Sequence, residues 1–195
     1  MSRTSAPSPS RTMLISIKGA DRTGVVADVS GCLFEMGANL ADSSFALLGQ
    51  GFEFSALGSF PTGVTEADVQ SALASLSALA GAHIRVSGYD FAAERGPRGQ
   101  VTHRLVVSGG DRPGLVACIS EIVQEAGANI VRMSSGRRES ETGAAYITRF
   151  ALHVPPEGAD RLARLLDNTA GGMGLVARME PVRPEPAPDP VPEDE

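Results

Sequence analysis

The residues of this chain that are best suited to binding chemistry occur twice. A loop of the form Asp-Arg-x-Gly and an asparagine that follows Gly-Ala both recur 90 residues further along the chain. Where such a loop opens a helix, unpaired backbone N–H groups and the helix dipole favour a bound carboxylate or phosphate, and glycine lets a ligand approach the backbone closely. The candidate ligand-binding residues are Asp21, Arg22, Thr23, Gly24, Val25, Asn39 and Leu40 in the first copy, and Asp111, Arg112, Pro113, Gly114, Leu115, Asn129 and Ile130 in the second.

Each of these residue types also has an ordinary structural role. The two aspartates could cap the helices through the backbone N–H groups of Gly24 and Gly114. The two asparagines could bond the local backbone of a turn or face a ligand across a domain interface. The two arginines could be solvated loop cations, partners of a nearby carboxylate, or ligand contacts. Because Thr23 in one copy aligns with Pro113 in the other, we expect any two sites to be unequal.

The repeated segments belong to a duplicated domain. Residues 19–39 and 109–129 align without a gap and are identical at 11 of 21 positions, whereas unrelated sequences would share roughly one or two. The period is too long for a solenoid repeat. We therefore expect two domains of the same fold.

Hydrophobic periodicity predicts the same order of elements in both copies. Strands are predicted over 13–18, 39–48, 52–60 and 83–89, and again over 101–107, 129–137, 145–154 and 174–179. In the first copy, a capping box at Thr65–Asp68 opens the second helix, whose predicted apolar stripe is Val69, Leu73, Leu76 and Ala80. The second helix of the second copy is predicted over 158–169. The order βαββαβ predicts an α+β, ferredoxin-like fold in which two helices cover one face of a four-stranded antiparallel sheet.

The composition of the chain changes outside these two regions. We predict a disordered arm over 1–11, a first domain over 12–91, a linker over 92–100, a second domain over 101–180, and a disordered tail over 181–195. The tail is acidic and has six prolines in fifteen residues, so it cannot build a core. Because an isolated sheet leaves unpaired backbone groups at its edges, we expect the two copies to join edge to edge.

Charge and composition exclude several function classes. The net charge of −6 disfavours direct nucleic-acid binding, no apolar run reaches the ~20 residues of a membrane span, and the N-terminus has no signal-peptide core. The only cysteines, Cys32 and Cys118, form no disulfide framework or metal cluster, so we expect a cytoplasmic protein. The histidines lack metal-ligand spacing. Gly19-x₄-Gly24 lacks the Gly-Lys-Ser/Thr ending of a nucleotide-binding loop. We therefore predict no metal and no cofactor.

The two motifs together resemble a known family. D-R-x-G-[VL]-V-A-x-[VI]-S and G-A-N-[IL], in a βαββαβ frame, look like the ACT domain, a small-molecule-sensing module that typically binds amino acids. Two free-standing copies resemble the glycine cleavage system transcriptional repressor family. The resemblance covers about residues 12–181. It implies a ligand between paired domains, held by the loop 21–25 or 111–115 of one copy and by Asn39–Leu40 or Asn129–Ile130 of its neighbour.

The resemblance implies a non-catalytic regulator with no enzymatic activity of its own. It would sense an amino acid such as glycine or serine and act through a protein partner in transcriptional regulation of amino-acid metabolism, without direct contact to nucleic acid. A homodimer is compatible with it. Two alternatives remain: a ligand-free interaction scaffold, and an acylphosphatase-like enzyme in which Arg22 or Arg112 would hold phosphate and Asn39 or Asn129 would position water. The phosphate-cradling sequence of that enzyme family is missing here.

Overall fold

Each half of the duplicated sequence folds as its own unit. The computed structural model describes residues 10–93, 95–110, 113–140 and 143–182, with nothing said of the side chains of 139, 140, 143 and 144. The chain divides into Met1–Glu94 and Arg95–Glu195, and each unit is considered by itself. The predicted arm and tail lie mostly outside the described residues, at 1–9 and 183–195.

The first unit has the predicted βαββαβ order. Its sheet has the strand order β2-β3-β1-β4, and every neighbouring pair is antiparallel. The edge strands are therefore β2 and β4. The elements are β1 (Ser10–Ala20), α1 (Val25–Glu35), β2 (Asn39–Leu48), β3 (Gly51–Pro61), α2 (Glu66–Ala74), a 3₁₀ turn (Ser77–Leu79) and β4 (His83–Gly88).

Apolar residues alternate with more polar ones along β1, and this alternation indicates which face of the sheet is buried. Met13, Ile15 and Ile17 are fully buried and pack in one core with residues of α1 and α2, such as Leu33 and Leu73. Successive side chains of a strand point to opposite faces, so Leu14, Ser16 and Lys18 lie on the face that the helices leave open. The predicted α+β, ferredoxin-like fold is confirmed.

The predicted capping box opens α2. The Thr65 hydroxyl accepts a hydrogen bond from the backbone N–H of Asp68, and the Asp68 carboxylate accepts from the backbone N–H of Thr65. The predicted apolar stripe is wrong at its end, because α2 stops at Ala74 and a 3₁₀ turn follows. The shorter repeat of that turn shifts the periodicity, so Leu79 is buried where Ala80 was expected.

The second unit repeats this architecture. Its strand order is β6-β7-β5-β8, again antiparallel throughout. Its core joins buried residues of β5 and β7, such as Leu105 and Phe150, to α3 and α4 through Ile119 and Leu162. The elements are β5 (His103–Gly109), α3 (Leu115–Glu125), β6 (Asn129–Ser140), β7 (Gly143–His153), a 3₁₀ turn (Pro156–Gly158), α4 (Ala159–Met173) and β8 (Val176–Pro181).

Several element limits differ from the prediction. Strand β1 begins at Ser10 and so includes the last two residues of the predicted arm, where the Arg11 guanidinium lies 2.7 Å from the Glu66 carboxylate. Helix α4 continues to Met173 rather than ending at 169. The predicted linker contains a 3₁₀ turn, Pro97–Gly99. In the described part of the chain, no helix has the length and apolar character needed to cross a membrane.

Candidate functional site

The loop that joins β1 to α1 is fixed at two points. The backbone N–H of Asp21 donates to the carbonyl of Gln50 at 3.1 Å, which holds the loop on the β2–β3 turn. The Arg22 guanidinium donates to the carbonyl of Ser77 at 3.1 Å. Arg22 thus bridges the loop to the 3₁₀ turn after α2, a role that was not among the alternatives expected for it. Gln50 and Ser77 contribute only their backbone carbonyls, so no side-chain pattern in the sequence could identify them as partners of the loop.

The aspartate cap expected for α1 is wrong. Its N-cap residue is Gly24, with φ of 92°, and no side chain caps the helix. Gly24 takes a left-handed conformation that disfavours residues with a Cβ, and this turn places Asp21 outside the capping position. The Asp21 side chain is exposed and has no hydrogen-bond partner among the described residues.

The beginning of α1 is open to a ligand. The first intrahelical bond runs from the N–H of Asp28 to the carbonyl of Gly24 at 2.9 Å, so the N–H groups before Asp28 have no acceptor in the helix. A Cβ built on Gly24 would meet no atom within 4 Å. Thr23 is exposed, whereas the Val25 side chain is 2% exposed and packs in the core. An anion at this point would therefore contact backbone N–H groups.

The second unit has the same helix start. Gly114 is the N-cap of α3 with φ of 84°, and the N–H of Cys118 donates to its carbonyl at 2.9 Å. Pro113 is exposed and Leu115 is 2% exposed. The remaining two predicted residues of this loop, Asp111 and Arg112, lie outside the described residues.

The predicted asparagines follow a glycine turn at the other end of each helix. Gly37 has φ of 76°, and the N–H of Ala38 donates to the carbonyl of Leu33 at 3.0 Å, which closes the C-terminus of α1. Asn39 then begins β2 with an exposed side chain. Leu40 packs against the core, so only its backbone could reach a ligand.

The two asparagines differ in their partners. The Asn129 side-chain amide donates to the carbonyl of Arg98 at 3.0 Å, within the 3₁₀ turn Pro97–Gly99. No described residue bonds the side chain of Asn39. Ile130, like Leu40, packs against the core of its unit. The partner of Asn129 is the backbone of a turn 31 residues away and not the local backbone of its own turn, so neither expected role describes it. The amide of Asn39 is the one available to a ligand.

The first unit does not bring its own loop and asparagine together. Asp21–Gly24 lie before α1 and Asn39 follows it, and an 11-residue helix is about 16 Å long. Asn39 is also in register with Ser59, at the end of β3 opposite to Gly51, which pairs with Ala20 beside the loop. A site that uses both features must take them from different units or different copies of the chain.

Other groups in the described residues give little basis for catalysis. A groove of about 450 Å³ between α1 and α2 is lined by Cys32, Glu35 and Leu76, among others, but by none of the candidate residues. Burial, and to a lesser extent Glu35, raises the pKa of the Cys32 thiol, so the reactive thiolate is disfavoured. Within residues 10–93, 95–110, 113–140 and 143–182, no three His, Cys, Asp or Glu side chains form a metal-binding group.

Family models match both halves of the chain. A model described as ACT domain matches residues 11–87, and a second model of the same description matches residues 103–171. The chain belongs to the ACT-domain family. The two matched ACT domains correspond to the two structural units, and each match includes the loop, the first helix and the asparagine of its unit.

Solved structures resemble this tandem ACT chain over most of its length. A protein of unknown function from Galdieria sulphuraria has 24% identity and a TM-score of 0.71, with 90% of this chain and 100% of that chain covered. A candidate glycine cleavage system transcriptional repressor has 15% identity and a TM-score of 0.65, with coverage of 90% and 99%. At these identities the likeness concerns the fold. No curated protein matches the sequence significantly.

Proposed function

We propose that this tandem ACT protein is a non-catalytic regulator that binds an amino acid, such as glycine or serine, between two ACT domains. The observation that carries the proposal is the loop before α1, which is held by Gln50 and Ser77 and leaves the uncapped helix start open above Gly24. The ligand carboxylate would accept hydrogen bonds from the backbone N–H groups there. The side-chain amide of Asn39 from a neighbouring domain would contact the other end of the ligand.

Edge strands provide a means of pairing the domains. Strand β2 lies at the edge of its sheet and is exposed along most of its length, with Leu47 56% and Leu48 63% exposed. Its counterpart β6 is also an edge strand and exposes Met133. Pairing of such strands, within the chain or in a homodimer, would satisfy their backbone groups. It would also bring a second domain beside the loop.

Ligand binding would act by shifting the arrangement of the domains, which a protein partner then reads. A ligand shifts such an equilibrium only by its difference in affinity for the two states, commonly about 1–3 kcal/mol. The similarity to a candidate repressor supports an output in transcriptional regulation of amino-acid metabolism. Because the chain is acidic, we propose that this regulation acts through contact with a protein rather than through direct contact with DNA.

The exposed apolar residues of β2 also favour a second candidate function, a scaffold that binds a protein without a ligand. Acylphosphatase-like catalysis has less support, because the guanidinium of Arg22 already bonds the Ser77 carbonyl. Partner binding that is unchanged by every amino acid would favour the scaffold over the sensor.

Isothermal titration of the full chain with each of the twenty amino acids tests the proposal. We expect saturable heat with at least one of them. Asn39→Ala should weaken that binding by a factor of about 10 to 100, since a hydrogen bond to an ionised ligand contributes about 1.5–3 kcal/mol. Asn129→Ala should weaken it less, because the Asn129 amide is already bonded to Arg98. Asn168→Ala, at an exposed position of α4, is the matched control. Absence of heat with all twenty at millimolar concentration would remove the sensor proposal.

A further inference from the structure

The open face of the second sheet, opposite α3 and α4, carries four exposed arginines. Arg149 on β7 is in register with Val106 on β5, as is Arg178 on β8. Arg104 on β5 is in register with Ala151, and so is Arg132 on β6. Register partners on adjacent strands point to the same face, about 5 Å apart in the pairing direction. We call this surface the arginine face: Arg104, Arg132, Arg149 and Arg178.

The charges of the arginine face are not neutralised by the described part of the protein. None of the four guanidinium groups has a hydrogen bond or an ion pair with a described residue. Glu180, the register partner of Arg104, is the one described carboxylate on this face. The arginine face creates a local positive electrostatic potential on a chain whose net charge is −6. Such a potential attracts an anionic partner.

The first unit shows that the fold does not need these arginines. By register and by the 90-residue offset, Leu14 is the counterpart of Arg104, Asp42 that of Arg132, and Ser55 that of Arg149. Only Arg178 has a basic counterpart, Arg85, which is in register with Ser16 as Arg178 is with Val106. The same sheet thus forms with an uncharged or acidic residue at three of the four positions.

The shape of the arginine face selects among anions. Arg104, Arg132 and Arg149 surround a depression of about 190 Å³ that also includes Val106 and Ala151. The apolar floor has room for one aliphatic side chain, and the guanidinium groups at the rim can each form a charge-assisted bond with a carboxylate. Phe150 also borders the depression, but its side chain packs in the core and is 2% exposed, so the described residues of this face present no exposed aromatic ring. Because single-stranded nucleic acid is held largely by stacking on aromatic side chains, this composition favours a peptide.

We propose that the arginine face binds an acidic peptide segment of a protein partner. An apolar side chain of that segment lies over Val106 and Ala151, and its flanking carboxylates pair with Arg104, Arg132 and Arg149. This inference rests on the protein-partner part of the proposed function. It is independent of amino-acid binding, which uses other residues.

Fluorescence anisotropy with the full-length chain tests this assignment. The probe is a labelled twelve-residue peptide that repeats Glu-Glu-Leu, compared with the same peptide carrying Lys in place of Glu and with a twelve-nucleotide oligo(dT). We expect only the acidic peptide to bind well, and its affinity to fall as NaCl is raised, because exposed charges are screened.

Variants in which these arginines are replaced by their counterparts from the first unit test whether the peptide binds at the arginine face. Arg104→Leu combined with Arg149→Ser should weaken peptide binding at least about tenfold, because each removes one charge pair at the rim. Arg149→Lys preserves the charge and should retain most of the affinity. Arg85→Ala is the matched control, since it removes an arginine from the open face of the first sheet. Far-UV circular dichroism and thermal melting establish that each variant is folded.

Three results would overturn the assignment: unchanged peptide affinity in the double variant, an equal loss in Arg85→Ala, or tighter binding of oligo(dT) than of the peptide. The last would identify a nucleic-acid surface instead. Amino-acid titration of the double variant separates this proposal from the sensor, because heat of amino-acid binding should be unchanged. Loss of peptide binding with retained amino-acid binding supports both proposals independently.

Discussion

Replacing Gly24 and Gly31 by alanine should change the stability of the first unit in opposite directions. Gly24 has φ of 92° and Gly31 lies inside α1, yet a Cβ at either position would meet no atom within 4 Å. Steric contact therefore does not distinguish the two sites, and only the backbone conformation does. At Gly24 a left-handed alanine costs about 1–2 kcal/mol, of which about 0.4–1 kcal/mol is recovered from the unfolded chain. At Gly31 alanine gains about 1 kcal/mol of helix propensity.

Urea unfolding followed by circular dichroism at 222 nm measures this difference. We expect Gly24→Ala to lower the free energy of unfolding by about 1 kcal/mol and Gly31→Ala to raise it by a similar amount. Gly114→Ala, at φ of 84° and with equally open surroundings, should repeat the Gly24 result in the second unit. If Gly24→Ala leaves the free energy of unfolding unchanged or raises it, the left-handed helix start is refuted.

Three further perturbations probe the core of the first unit and two titrating groups. Phe60→Ala, at a fully buried side chain of the first core, should lower the free energy of unfolding of that unit by about 3–5 kcal/mol. Hydrogen bonds from Thr65 lower the pKa of Asp68 in the folded state. The Asp68 carboxylate therefore stabilises the fold above its unfolded pKa, and this stabilisation is lost as the pH falls through its folded pKa. The destabilisation caused by Asp68→Ala should accordingly shrink below about pH 4. Burial lowers the pKa of His103, so the unfolded state binds the proton first, and the second unit should lose stability as the pH falls from about 6.5 toward the folded pKa. His103→Gln should remove that decline.

Each of these perturbations has a clear contrary result. A Phe60→Ala protein as stable as the parent would show that this ring is not in the core. An Asp68→Ala effect of the same size at pH 3 and pH 7 would contradict the capping box. An unchanged pH dependence in His103→Gln would assign the decline to another group.

The sequence predicted the fold because local patterns and the final structure agree over most of the chain. The capping box at Thr65, the glycine turn at Gly37 and the alternation of Met13, Ile15 and Ile17 each have one local physical cause. The Asp21 cap was wrong because the left-handed turn at Gly24 moves the cap by three residues. The position of the loop depends on its hydrogen bonds to the Gln50 and Ser77 carbonyls, which only the structure shows.

Strand register shows which residues are neighbours on a sheet, and spacing along the chain does not. The arginine face joins residues from all four strands of its sheet, and consecutive members are 17 to 29 positions apart along the chain. Their proximity depends on the strand order β6-β7-β5-β8. Likewise, Asn39 and Asn129 are equivalent in sequence, and only the turn at Arg98 makes their amides different.

The most direct test of the central claim is a nuclear magnetic resonance titration of the full chain with glycine and with serine. The account predicts that the backbone amide signals of Gly24 and Val25 and the side-chain amide signal of Asn39 shift together along one saturation curve, because a single ligand contacts the helix start of one domain and the asparagine of another. Signals that remain unchanged at millimolar ligand, or shifts confined to residues away from both features, would contradict it.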